Sequence, residues 1–141
     1  ERYEEEIDKC KLLIDKCAVS AFTFSSPLKM KMIELYYVSI IARELERIVD
    51  NIILLGKNDK KIVEASTNAI NSLKDILEAA GIGEQPQLGH STAIDFVKKV
   101  IEVEEAGNKG ASSYTIKNIS NSFVNISDVI MDWAITNQLN E

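Results

Sequence analysis

At 141 residues the chain is long enough for one domain with its own core, and 45% hydrophobic with 27% charged residues is a globular mixture. A net charge of −6 works against a nucleic-acid surface, which needs clustered lysine and arginine. No apolar run reaches the roughly 18 residues of a membrane span, no secretory signal opens the sequence, and two prolines with six glycines leave long uninterrupted segments.

Five amphipathic segments follow in chain order, and they predict an all-α helical bundle. The first runs from Arg2 to Phe24, with Ile7, Cys10, Ile14, Cys17 and Ala21 at alternating spacings of three and four. Cys10 and Cys17 then lie two turns apart, about 10 Å, too far for a bond between them. They read as small core residues in a reducing, cytoplasmic setting. Ser25 or Ser26 before Pro27 marks a helix start, and the second segment runs from there to Leu55. Its stripe is Ile33, Tyr37, Ile41, Leu45, Ile48, Ile52 and Leu55, and at about 30 residues it would be about 45 Å long, the longest element.

Gly56 closes that helix, and Asn58 or Asp59 caps a third, which carries Ile62, Ala65, Ala69, Leu73, Ile76 and Ala80. Gly81 to Gly89, with Pro86, is a surface connection. The fourth helix is short, Thr92 to Glu105, with Phe96, Val100 and Val103 inward. Gly107 to Ser112 forms the next loop. The fifth runs from Tyr114 to Asn137, with Ile116, Ile119, Phe123, Ile126, Ile130 and Trp133 on one face.

A shift of 78 residues lays Ile41, Leu45, Ile48, Asp50 and Ile52 on Ile119, Phe123, Ile126, Asp128 and Ile130. The coincident aspartate, on the polar side, supports an internal duplication in which the second and fifth helices correspond and form the central pair. Glu46 and Asp50 project from one face of the second helix a turn apart, and Asp128 and Asp132 repeat the spacing on the fifth. Oxygen-binding cations relieve the repulsion in such a pair. Arg43 and Arg47, each three residues before one of the helix 2 acids, offer a second explanation as surface ion pairs.

Other chemistry is poorly supplied. The single histidine, His90, sits in a loop beside Gly89, so the paired Glu-x-x-His ligands of di-iron bundles are absent. A Ser-His-Asp or Cys-His arrangement would have to be built on that loop.

The segment from Ser26-Pro27 to Leu45-Glu46-Arg47-Ile48-Val49-Asp50-Asn51-Ile52 resembles the signature helix of PhoU proteins, with Asn51 where that signature usually has histidine. The fifth helix looks like a degenerate second copy, with Val124 and Asn125 in place of Glu46 and Arg47. The resemblance implies a PhoU-like bundle of two three-helix repeats, residues 1–56 forming an incomplete first repeat and 57–141 the second. It implies a non-enzymatic, cytoplasmic regulatory adaptor in phosphate or other ion uptake, working through a transporter component or a sensor kinase. It also implies iron or zinc at Glu46 and Asp50, and less directly at Asp128 and Asp132. The incomplete repeat would leave an apolar groove beside the first two helices, which a homodimer is expected to cover. A purely structural dimerisation module of a larger protein, without ligand, is the alternative.

Overall fold

Apolar residues recurring every three or four positions force these segments to hide one face each, and in water that face is hidden against another helix. The computed structural model describes residues 2–24, 31–56, 59–81, 88–108 and 114–139. It is all-helical there: α1 (Arg2–Phe24), α2 (Met32–Ile53), α3 (Lys60–Gly81), α4 (His90–Asn108) and α5 (Tyr114–Leu139). Among the described residues no helix is long and apolar enough to cross a membrane.

The helices pack in the order α1, α2, α5, α4, α3. α2 and α5 form the antiparallel centre. At one end the Tyr37 ring lies 5.8 Å from Trp133, and its hydroxyl shares a 3.0 Å hydrogen bond with Thr136. At the other end Asn118 donates to Asn51. Counting in from Tyr37 opposite Trp133, Glu46 falls opposite Val124, its own counterpart under the shift of 78. A dyad between the two helices at that point exchanges them.

The core is fullest around α5. Ile119, Phe123, Ile126 and Ile130 are completely buried, as is Phe96 of α4, while Ile41 and Ile48 of α2 and Leu73 of α3 are at most 1% exposed. Leu45 and Ile52, expected in the same central stripe, are half-buried at its edge. α3 buries Ile62, Ala69, Leu73, Ile76 and Ala80 as expected, with Ala65 partly covered.

Several expectations change. α2 has 22 residues and is shorter than α5, which has 26; the Pro27 start lies outside the described residues. Lys31 precedes α2, and its backbone N–H donates 2.8 Å to Glu34, which satisfies one of the donors a helix start leaves open. Asp59, expected as a cap for α3, instead accepts from the Gly56 N–H at 2.9 Å, closing the turn that leads into the helix. α4 starts at His90 rather than Thr92, so the histidine is a helical residue, not a loop residue. α4 also continues through Gly107, which is buried. A Cβ there would stand 2.7 Å from Ile116 Cγ2, so the glycine is what lets α4 approach α5 so closely. Cys10 and Cys17 are exposed free thiols; of the expected stripe α1 buries Ala21, with Ala18 beside it.

Candidate functional site

The signature segment of α2 is divided between three directions. Glu46 turns toward α1 and pairs with Lys11 at 2.6 Å, each side chain less than a third exposed. The Glu46 carboxylate accepting that hydrogen bond holds the Lys11 ammonium above its ordinary range, with Asp15 and Asp8 adding to the effect. Asp50 is exposed. Asn51 donates to the Arg47 carbonyl and accepts from Asn118, tying α2 to α5.

Arg47 bonds Glu44, three residues earlier, at 2.9 Å. Glu44 is 3% exposed, and its second oxygen is buried without a hydrogen-bond partner. Sequence reasoning passed over this acid. Its place in the run Glu34, Tyr37, Ile41, Glu44, Ile48, all buried at three-four spacing, was the available signal.

Asp128 and Asp132 are exposed on α5. The antiparallel register sets them level with Ala42 and Val38, one to three turns from Glu46 and Asp50. The four acids therefore do not converge, and among the described residues no three His, Cys, Asp or Glu side chains gather closely enough to hold a metal. A metal at Glu46 would have to displace Lys11, so these residues as placed do not form a cage for one. A shallow hollow of about 200 Å³ lies between α3 and α4, with Ser72, Asp75, Thr92 and Asp95 around an apolar floor. It is smaller than ordinary small-molecule sites.

No family model, curated protein or solved structure matches the chain. What the chain presents to other molecules is therefore read from its own surface. Exposed large apolar residues concentrate on the first two helices: Tyr3, Leu12, Leu13 and Val19 on α1, and Met32, Ile33, Tyr36, Ile53 and Leu54 on or just after α2. α1 is in contact with the bundle mainly through α2. A surface of that kind binds other helices more readily than it binds small solutes.

Proposed function

We propose that the chain is a non-enzymatic regulatory adaptor resembling PhoU, acting in phosphate or other ion uptake through helix-surface contacts with proteins. The observation that carries this reading is the uncovered apolar surface of α1 and α2. With Leu54 just after α2 they hold nine of the fifteen exposed large apolar residues among the described residues, while the densest core lies around α5. The signature-like segment of α2 supports it, since Glu46 and Asn51 brace that face against α1 and α5. The test is direct titration of the chain into a phosphate-transporter component and into its sensor kinase. Saturable binding to one of them is expected. Flat titrations with both at about 100 μM, an affinity weaker than about 5 kcal/mol, would return the chain to the structural-module reading. The metal implied by the resemblance has its own assay: calorimetric titration of Fe²⁺ and Zn²⁺ into chelator-stripped protein beside the Glu46→Gln/Asp50→Asn double variant. Heats lost in the variant support a metal; identical heats remove it.

A further inference from the structure

The two halves of the bundle can be superimposed by register. Lys11 of α1 meets Glu46 of α2, whose counterpart is Val124. Counting from Gly107 against Ile116, Val124 falls level with Lys99 of α4. α1 residues therefore correspond to α4 residues 88 positions later, and Lys11 falls on Lys99. The α4 stripe Ala93, Phe96, Val100, Val103 and Gly107 is buried. Ile62 of α3 reaches the seam beside Gly107, 3.4 Å from where its Cβ would be. The matching α1 stripe is Glu5, Asp8, Leu12, Asp15 and Val19. Leu12 is 52% and Val19 64% exposed. On α2, Val38, Leu45 and Ile52 are only partly buried, while their counterparts Ile116, Phe123 and Ile130 on α5 are 6%, 0% and 0% exposed. The α1–α2 seam thus carries a half-covered apolar edge, and no helix of the described residues packs over it as α3 packs on α4.

Charge selects the occupant. Of five positions on the α1 wall three are acids, and none of the three forms a salt bridge among the described residues. With Glu46 beside them against Lys11 alone, on which Asp8 and Asp15 also act, the seam stays net negative. A second copy offering its own α1 would set acid against acid. We propose that the α1–α2 seam docks an amphipathic helix of a partner protein, apolar toward Leu12, Val19 and Leu45 and basic along the edge that meets Glu5, Asp8 and Asp15. This deepens the adaptor reading by stating the chemistry of the partner's contact segment; it rests on that reading only in requiring a protein partner.

The experiment uses two designed peptides of about 20 residues, long enough to form helix, sharing a leucine–alanine stripe but flanked by lysine in one and glutamate in the other. Fluorescence anisotropy with the full 141-residue chain is expected to show saturable binding of the lysine peptide. It should bind at least about tenfold tighter than the glutamate peptide and weaken as salt is raised. The double variant Leu12→Gln/Val19→Gln should lose about tenfold, and Asp8→Lys/Asp15→Lys should reverse the preference between peptides. These side chains are largely at the surface, so unchanged thermal melts will show that the variants fold. Equal binding of both peptides, or of neither, overturns the proposal. So does sedimentation in which the wild-type chain dimerises and Leu12→Gln/Val19→Gln does not, because the occupant is then a second copy. Failure of the peptides with success of the transporter or kinase titration removes the docking seam and leaves the adaptor; the reverse result removes only the named partners.

Discussion

The hairpins α1–α2 and α4–α5 have the same length scale, the same antiparallel register and corresponding lysines, yet the second has a further helix, α3, packed on it and the first does not. In the covered hairpin, small and aromatic residues alternate with aliphatic ones, and Gly107 admits Ile116 at contact distance. In the open hairpin three of the five corresponding wall positions are carboxylates. Burial is therefore not a property of the hairpin pattern itself. It depends on what the neighbouring helix brings, and residues in equivalent phases diverge once that neighbour is missing.

The strongest way to break this comparison is to truncate an equivalent pair. Phe123→Ala removes a fully buried ring and should cost about 3–5 kcal/mol, whereas its counterpart Leu45→Ala should cost about 1–2 kcal/mol, because Leu45 is only partly covered. Chemical denaturation of both variants checks this; equal losses would mean that the α1–α2 seam is packed as tightly as the other. A second contrast sets Gly107→Ala against Val19→Ala. The first pushes a methyl group into Ile116 Cγ2 and should cost about 1–3 kcal/mol even though alanine favours the helix. The second, at an open position, should stay within about 0.5 kcal/mol in the same melts.

A third concerns the buried acid. Glu44→Met removes a carboxylate whose second oxygen has no partner and releases Arg47 to solvent, so it should raise stability by about 1 kcal/mol. A loss of similar size would show that the Glu44–Arg47 pair organises the centre of the bundle. The smallest effect is at Lys11. Its ammonium is held above the ordinary 10.5 by Glu46, so the pair's contribution is complete below that value and disappears as pH rises through the raised one. Melting temperatures of the wild type and Glu46→Gln should differ slightly at neutral pH and converge in strong alkali.

Where packing is dense, periodicity alone located the face. The stripes of α3 and α5 were legible because large aliphatic residues occupy one side and polar residues the other. α1 misled because apolar residues lie all round it: Cys10 and Cys17 fit the spacing with Ile14 and Ala21 as well as Ala18 does, and nothing in a single sequence says which side meets α2. Glu44 was passed over because an acid interrupts a stripe on paper, although its phase is that of Ile41 and Ile48. Gly107 reads as a helix terminator until the closeness of Ile116 is known. The candidate acids at Glu46, Asp50, Asp128 and Asp132 were correctly placed on helices, but their divergence follows from the antiparallel register, which one strand of text does not encode.

The packing order α1, α2, α5, α4, α3 also bears on how the chain acquires its structure. α3, α4 and α5 meet neighbours that follow directly in sequence, so their contacts close short loops. α2 meets α5 across most of the chain, with Tyr37 and Thr136 separated by 99 positions. The entropy of closing that long loop is recovered only after α5 already offers a formed surface. The last three helices can therefore assemble as a cooperative unit before the first hairpin docks. In the native state the same hierarchy runs backwards, with backbone amides of α1 exchanging with solvent through openings that leave α3, α4 and α5 intact.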